Sequence, residues 1–289
     1  MYAVLGEGVA MNNLAIKVTP TTYEKDEKEY TRVTSVAKLM PNFGLDYWKQ
    51  KQVALGAIAA KQNDKTDNEA FSFALKAPDA ASRVARENGT LIHELLRKLN
   101  VGHKLNIDAI DDESVRNKVE LWSAFRREHN TDTILAERTL FSDKYNIAGT
   151  LDLFWRCDGV VELADVKTGG VYETAFIQLA AYLEFLKELP ELKVDLSSVE
   201  LVVYQITDDK VVRHTPSTFF KKGGRNARQQ CHIPTQKELF TIFRSLLLAW
   251  RFQVLKVGKW TQLVEDFSDM SNDVDKLLTE MELQNESRI

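Results

Sequence analysis

Cysteine is scarce in this chain, with only Cys157 and Cys231 among 289 residues. The two lie far apart and show no CxxC spacing, so a single chain can build neither a disulfide framework nor a four-thiolate metal centre. Reduced thiols are therefore the simplest interpretation. An iron–sulfur cluster is not expected, because such clusters are held by four cysteine ligands.

Long apolar runs are also missing. No segment approaches the roughly 20 apolar residues of a membrane-spanning helix. The beginning of the chain, MYAVLGEGVAMNN, lacks the basic region and the long apolar stretch of a secretory signal. We therefore expect no membrane partner and a cytoplasmic or other intracellular location. The pattern GxxxxGKS/T is absent too, so we expect no nucleotide cofactor, and another chain would have to supply any helicase motor.

An excess of positive charge is likewise lacking, since the formal net charge is -4. Acidic residues are concentrated in residues 261–289, where eight acids face Lys276 and Arg288, so this segment has a net charge of -6 and residues 1–260 have +2. Local patches decide whether a phosphate backbone can dock. The total charge therefore does not exclude a nucleic-acid partner.

The composition, 44% hydrophobic and 28% charged, predicts one large folded core. We expect a single domain over residues 1–260, followed by an acidic tail over 261–289 that has the apolar spacing of one short helix. Within the domain we expect a helical N-terminal part at 32–130, a sheet core at 131–215, and a basic loop and helix at 216–260.

Apolar periodicity predicts the elements. The first thirty residues stay unassigned, because their low apolar content offers little surface to bury. Helices are expected from Val36 after a Ser35 cap, at 45–61, from Pro78 onward with a break or kink at Asn88-Gly89, and at 114–128, 173–189 and 236–256, with a loop at 62–70. Strands are expected at 134–141, 147–156, 160–167, 199–206 and 210–215.

Asp158-Gly159 between two apolar strands is a strong signal for a two-residue hairpin. In that register Asp152 lies opposite Asp165. A four-residue loop would leave the two aspartates diagonal but on one face, whereas an odd loop length would separate them. Strand alternation also places Thr150, Asp152 and Phe154 on one face, and Asp165 with Lys167 on one face.

Opposed side chains of this kind have Cβ atoms about 5 Å apart, which is too close for two carboxylates to stay ionised cheaply without a cation. Hard oxygen ligands favour Mg²⁺ or Mn²⁺. The ammonium of Lys167, two residues beyond Asp165, could orient an attacking water or stabilise a pentacovalent phosphate. The three residues form the working set of a phosphodiesterase, although a single Asp-x-Lys is more often part of a solvated sheet face.

A longer ordered set strengthens this interpretation. It comprises His93 in GTLIHELL, Asp152 in GTLD, Asp165 and Lys167 in DVKTG, and Gln178 and Tyr182 in QLAAY. Over residues 89–182 the set resembles the RecB-like branch of the PD-(D/E)xK nuclease superfamily. The segments VTSVAKLM and YWKQ extend a weaker likeness, from about Arg32, to exonucleases of the mitochondrial genome maintenance type and their phage relatives.

The resemblance implies an α/β (α+β) fold with a restriction-endonuclease-like core, in which helices flank a small mixed central sheet and the N-terminal part adds further helices. It implies a DNA exonuclease that uses Mg²⁺ or Mn²⁺ and acts on single-stranded ends in replication, recombination or repair. Asp152 and Asp165 would then be metal ligands and Lys167 the catalytic lysine. His93 and the backbone carbonyl of Val166 would complete the ligand set.

Two helical residues and one strand residue join this site as predictions. Gln178 and Tyr182 lie one turn apart on one helix face, where the family uses them to position the lysine or the DNA. Glu137 could face the metals if residues 142–145 form a four-residue loop, but a solvated strand glutamate is equally compatible with the pattern. Asp165 stands where the family more often has a glutamate.

A loop near residue 220 combines basic and aromatic residues and suits a clamp on a nucleic-acid backbone, although a solvated basic loop is an equal alternative. Its candidate contacts are Phe219, Phe220, Lys221, Lys222, Arg225 and Arg228. We expect DNA as the partner, single-stranded in the leading hypothesis, together with proteins of replication or recombination. A structure-specific endonuclease and a non-cleaving nucleic-acid-binding subunit are the alternatives.

Overall fold

The structure, a computed structural model, describes residues 16–221 and 232–254. The predicted contacts Lys222, Arg225 and Arg228 and the acidic tail lie outside these residues. The strands are β1 (Lys17–Val18), β2 (Thr22–Lys25), β3 (Lys28–Arg32), β4 (Thr131–Ser142), β5 (Ile147–Cys157), β6 (Val160–Lys167), β7 (Glu200–Ile206) and β8 (Val211–His214). The helices are α1 (Val33–Ala37), α2 (Phe43–Gln62), α3 (Asp67–Asn100), α4 (Glu113–Glu128), α5 (Glu173–Leu186), α6 (Pro216–Phe220) and α7 (Gln236–Val254).

The eight strands form one mixed open sheet flanked by helices, in agreement with the expected α/β class. Strand β4 pairs antiparallel with β5 from one end to the other. Two strands pair with β5 at its ends: β3 runs parallel to its first residues, and β6 runs antiparallel to its last ones. A parallel β6–β7 pair and an antiparallel β7–β8 hairpin complete the sheet.

Helices bury two separate apolar clusters against the sheet. The larger cluster packs α1, α5 and α7 on residues such as Phe154 and Val203. The second cluster packs α3 and α4 on residues such as Trp155 and Tyr204, with Trp122 of α4 stacked on Trp155 at 5.6 Å between ring centroids. Because helices cover both faces of the sheet, the sequences of the central strands are nearly continuous apolar runs.

The N-terminal strands were not predicted. Residues 17–32 form a small meander whose buried side chains are Tyr23 and Tyr30, and both rings contact Phe141 edge-on. The short helix α1 begins at Val33, so the predicted start at Val36 with Ser35 as the cap was wrong. Instead, the Ser35 hydroxyl donates to the carbonyl of Pro20. These elements depend on docking against β5, a long-range contact that local periodicity does not contain.

Helix α3 runs without interruption for 34 residues, so the predicted loop at 62–70 is shorter and the predicted break at Asn88-Gly89 is wrong. The helix begins after Thr66, whose backbone N–H donates to the Glu69 carboxylate at 3.0 Å. It passes through Pro78, which local rules disfavour. Tertiary packing explains the continuity, since small buried residues of α3 lie against α2.

Helices α2 and the first half of α3 form a two-helix arm that is joined by small residues. Gly56 and Ala60 of α2 are buried, as are Ala70 and Ala74 of α3. The larger apolar side chains of the arm are exposed, and they include Tyr47, Leu55, Ile58, Phe71, Phe73 and Leu75. Along the described ranges, no helix combines the length and the apolar character needed to cross a membrane.

The other predicted elements agree with the structure to within a few residues. Helix α5 ends at Leu186, three residues before the predicted end, and α7 reaches the last described residue, 254. The turn between β4 and β5 has four residues, as considered, but occupies 143–146. The β5–β6 hairpin turns at Asp158 and Gly159, both with positive φ, as a two-residue loop of the predicted kind requires.

Candidate active site

A fork between β5 and β6 forms the centre of the site. The hairpin has the predicted register, with Cys157 opposite Val160 and Leu153 opposite Ala164. Leu153–Ala164 is the last pair, and beyond it Asp152 and Asp165 occupy the next position of the same register. There the strands diverge, and the Asp152 carboxylate accepts a hydrogen bond from the backbone N–H of Val166 at 2.9 Å.

Asp165 and Lys167 form a close ion pair inside the fork. Lys167 Nζ lies 2.9 Å from Oδ1 and 2.7 Å from Oδ2 of Asp165. Burial raises the pKa of Asp165 to about 6, with a further contribution from the Asp152 carboxylate, while Lys167 opposes the rise. Burial alone would lower the pKa of Lys167, but Asp165 and Asp152 outweigh it and hold the pKa above its ordinary value. Lys167 is therefore an ammonium at neutral pH.

A second group of donors adjoins Asp152. Ligand atoms of His93, Glu137 and Asp152 all lie within 4.8 Å of one another, and the Nδ1 atom of His93 is 3.8 Å from Oδ2 of Asp152. His93 reaches the fork from α3 and is half-buried, as its predicted position at the edge of the apolar stripe requires. The structure thus brings together His93, Asp152, Asp165 and Lys167, and with them Glu137, which the sequence offered as a further candidate.

Glu137 is held in an unusual backbone conformation. Its φ is 48°, in the left-handed region that side chains other than glycine rarely adopt. The residue lies between the pairs Ala136–Leu153 and Arg138–Leu151, directly across from Asp152. Burial raises the pKa of Glu137 to about 8, and the Asp152 carboxylate adds to the rise. A half-buried acid with a strained backbone, close to other acids, is typical of a functional site.

The alternation of side chains between the two faces of β5 is interrupted near Asp152, opposite Glu137. Leu151 packs in one apolar cluster with Phe154, whereas Leu153 packs in the other cluster with Trp155. The predicted common face of Thr150, Asp152 and Phe154 is therefore wrong at Phe154. The reason is the irregular backbone around Glu137 and Asp152, which a strict two-residue period cannot describe.

Tyr182 closes the fork from α5. Its ring is buried against Gly149, where a Cβ atom would lie 2.6 Å from Cε1. Burial and the nearby carboxylates of Asp152 and Asp165 raise the pKa of Tyr182 far above its ordinary value, so the phenol stays neutral. Gln178 is half-buried one turn earlier on the same helix. Tyr182 therefore approaches the site from the predicted helix, while the part of Gln178 in the site stays a prediction.

Val166 contributes its backbone. Its side chain is buried in the apolar cluster beneath α3 and α4, and its N–H is bonded to Asp152. The predicted role of its carbonyl as a metal ligand stays a prediction.

Sequence reasoning missed a hydroxyl chain beside the fork. The Tyr23 hydroxyl lies 3.2 Å from Thr150 Oγ1, which lies 2.9 Å from Thr139 Oγ1. Arg32 at the end of β3 is close enough to Tyr182 to oppose the rise of its pKa, and its Nη1 donates to the Thr19 carbonyl. The sequence did not indicate these contacts, because the N-terminal segment that carries Tyr23 and Arg32 was left unassigned.

Two further regions carry basic residues, and in the first of them two arginines are balanced by two glutamates. An open groove on α3 next to His93 is lined by Arg83, Arg86, Glu87, Thr90, Leu91 and Glu94. In the other region, the rings of Phe219 and Phe220 pack on Phe176 of the main core, with centroids 5.2 and 5.8 Å away. Only the exposed Lys221 of the predicted basic set follows them within the described residues. The nucleic-acid role of this loop stays a prediction.

Comparison with protein-family models gave no match, and comparison with curated proteins gave none either.

Proposed function

We propose that this chain is a nuclease that hydrolyses phosphodiester bonds of DNA with the help of Mg²⁺ or Mn²⁺, and that its sheet is a restriction-endonuclease-like core. The observation that carries the proposal is the fork itself. The ion pair of Asp165 and Lys167 lies beside Asp152, and Asp152 lies beside His93 and Glu137. A half-buried ammonium next to clustered carboxylates is an arrangement suited to phosphoryl transfer.

The donor set fits a hard divalent cation. Two carboxylates, Glu137 and Asp152, cluster with the His93 imidazole, and Asp165 is close enough to Asp152 to be affected by its charge. Burial together with mutual repulsion raises the pKa of Asp165 and Glu137. Such a group is unfavourable as bare anions and favourable around a cation with oxygen ligands. Asp152, Asp165, Glu137 and His93 would hold the ion, which when bound neutralises these carboxylates and polarises phosphate oxygens.

The remaining side chains act on water and phosphate. Asp165 fixes the direction of the Lys167 ammonium, which can then hold the attacking water and stabilise negative charge on the phosphate in the transition state. The Tyr182 phenol stays protonated, so it donates a hydrogen bond to substrate or water and does not act as a base. The hydrogen bond from Val166 N–H orients the Asp152 carboxylate for its ligand role.

Linear single-stranded DNA is the proposed substrate. The resemblance to RecB-like exonucleases supports this choice. In the groove on α3 the exposed Arg83 and Arg86 offer phosphate contacts close to His93, with Glu87 and Glu94 balancing their charge. Cutting from an end would release short products progressively, whereas an endonuclease would also open circular DNA.

The decisive experiment incubates the purified chain with end-labelled linear and circular DNA, single- and double-stranded, and with RNA. Each reaction contains Mg²⁺, Mn²⁺ or a chelator. We expect linear single-stranded DNA to be degraded only with a metal. We expect Lys167→Ala to lower the rate by roughly 100-fold or more, because it removes the charge that stabilises the transition state. Lys187→Ala is the matched control, since Lys187 is exposed and pairs with Glu184 on α5.

Unchanged cleavage by Lys167→Ala would refute the site. Cleavage of circular single-stranded DNA would identify an endonuclease, and binding that weakens steeply with salt but never leads to cutting would identify a non-cleaving subunit.

The groove has its own test. Arg83→Ala with Arg86→Ala should weaken DNA binding, and each lost phosphate contact should lower the salt slope by about 1. Arg127→Ala is the control, because Arg127 is exposed and lies on α4, where it bonds Ser123. An equal salt slope for the double variant and the unmodified chain would remove the groove from the proposal.

A further inference from the structure

A second cluster of metal-ligating side chains lies at the turn of the β5–β6 hairpin, at the opposite end of β5 from the fork. Ligand atoms of His129, Cys157 and Asp158 lie within 4.8 Å of one another. His129 follows the end of α4, Cys157 ends β5, and Asp158 opens the turn. Two separate pieces of backbone therefore converge on one point, the end of α4 with His129 and the start of the hairpin turn with the adjacent residues Cys157 and Asp158.

We propose that His129, Cys157 and Asp158 form a zinc site that joins the end of α4 to this turn. The donor set is one nitrogen, one sulfur and one oxygen, which suits the borderline-soft Zn²⁺ and does not suit Mg²⁺. The site is thus chemically distinct from the fork, where oxygen ligands dominate. Three protein ligands leave the fourth tetrahedral position to water.

The positions of the ligands are set before an ion binds. Cys157 is paired with Thr131 on one side and with Val160 on the other, and its side chain is buried. The second carboxylate oxygen of Asp158 accepts from the backbone N–H of Asn130 at 2.9 Å, and the Asp158 N–H donates to the Asn130 carbonyl at 2.9 Å. Preorganised ligands lose little conformational entropy on binding.

His129 is fixed as well. Its ring packs on Phe125 with centroids 4.2 Å apart, and its Nδ1 lies 2.6 Å from Oδ2 of Asp158. Two such atoms can approach this closely only with a proton between them, and a cation can take that proton's place. Zinc bound at Nδ1 would displace this proton, which the neutral ring can carry on Nε2 instead, and it would release the thiol proton of Cys157, since zinc binds the thiolate.

Exposure also fits an ion that exchanges with solvent. The His129 and Asp158 side chains are 36% and 55% exposed, whereas Cys157 closes the inner side of the cluster next to the Trp155 and Tyr204 core. An ion could enter from the outer side and meet a thiol that is otherwise shielded.

The test uses the untagged, metal-free full chain and titrates it with Co²⁺, then with Zn²⁺. Thiolate bound to Co²⁺ gives a charge-transfer absorption in the near ultraviolet, and the oxygen-rich fork cannot produce it. We expect this absorption to saturate at one Co²⁺ per chain, to disappear when Zn²⁺ displaces the cobalt, and to be absent in Cys157→Ser. It should persist in Cys231→Ser and in Asp152→Asn, a variant of the proposed nuclease site.

Substitution of the two exposed ligands gives an independent test, because His129→Gln and Asp158→Asn leave the buried thiol in place. Loss of a group that merely orients a ligand costs about 10–100-fold in affinity, so loss of a ligand should cost about 100-fold or more. Circular dichroism and thermal melts verify that each variant folds. No charge-transfer absorption in the unmodified chain, its survival in Cys157→Ser, or unchanged affinity in both exposed variants would overturn the proposal.

Discussion

The ring of Tyr182 lies against Gly149 so closely that a Cβ atom there would be 2.6 Å from Cε1 and 2.8 Å from the hydroxyl oxygen. Gly149 lies three residues before Asp152 on β5, and its lack of a side chain lets the phenol reach the fork. This glycine is therefore needed because β5 and α5 approach each other closely there, and not because the chain turns.

We expect Gly149→Ala to lower the free energy of unfolding by about 1–3 kcal/mol, because the added methyl must displace a buried ring. Urea denaturation measures the change. In a Tyr182→Ala background the same substitution should cost clearly less, since the obstructing ring is gone. Gly169→Ala is the control, because nothing lies within 4 Å of a Cβ there. Equal costs in both backgrounds would show that the ring is not the obstacle.

The stability of the metal-free chain should fall as the pH rises. The pKa values of Asp165 and Glu137 in the folded chain are about 6 and about 8, above their ordinary 3.8 and 4.5. The folded state thus favours the protonated acids. Their stabilising contribution is complete below about pH 4 and is lost as the pH rises to about 8.

Urea denaturation in chelator at several values between about pH 5 and pH 9 measures this fall. Glu137→Gln should flatten the curve between about pH 6 and pH 8, whereas the exposed Glu29→Gln should not. Added Mn²⁺ should restore stability most at high pH, because it competes with protons for the same carboxylates. A curve for Glu137→Gln that matches the unmodified chain would contradict the assignment to Glu137.

Glu162 is expected to be essential for stability, although it lies outside the fork. Its buried carboxylate accepts hydrogen bonds from Trp155 Nε1 at 2.9 Å, from the Tyr204 hydroxyl at 2.6 Å and from Arg213 at 2.7 and 2.9 Å. Glu162→Ala leaves these donors without their acceptor and should cost about 3–5 kcal/mol. Glu200→Ala removes only the exposed partner of Arg213 and should cost less than about 1 kcal/mol. Similar costs for the two variants in thermal or urea unfolding would contradict this ranking.

The two-helix arm should open when Gly56 is replaced by alanine. A Cβ there would lie 2.7 Å from the Ala77 Cβ and 3.1 Å from the Ala74 Cα, and neither atom belongs to a flexible side chain. We expect Gly56→Ala to speed limited proteolysis within residues 43–85 severalfold, corresponding to about 1–3 kcal/mol of local destabilisation. Ala54→Ser, at an exposed position of the same helix, is the control. Identical cleavage of Gly56→Ala and the unmodified chain would show that the helices do not depend on this contact.

Much of the candidate site could be predicted from the sequence, because its residues lie on one hairpin whose register is set by a two-residue turn. Asp158-Gly159 fixes the turn, and the turn fixes the relation of Asp152 to Asp165. The apolar stripe of α3 placed His93 at its edge by the same local rule. Local chemistry therefore sufficed wherever neighbouring residues determine the geometry.

The rest depends on contacts between distant segments. The place of Glu137 follows from a left-handed residue inside a strand, which no periodicity indicates. The strands that carry Tyr23 and Arg32 exist because they dock on β5. The continuity of α3 through Pro78 and Gly89 follows from packing on α2 and α4, which outweighs local helix-breaking signals.

That continuity has a mechanical consequence. At 1.5 Å per residue, α3 is a rod about 50 Å long. One part of this rod belongs to the arm, while its later part is seated on the sheet through Ile92 and Leu96, next to His93. His93 therefore sits where the long helix is anchored, and the same packing that anchors the helix holds the imidazole 3.8 Å from the Asp152 carboxylate.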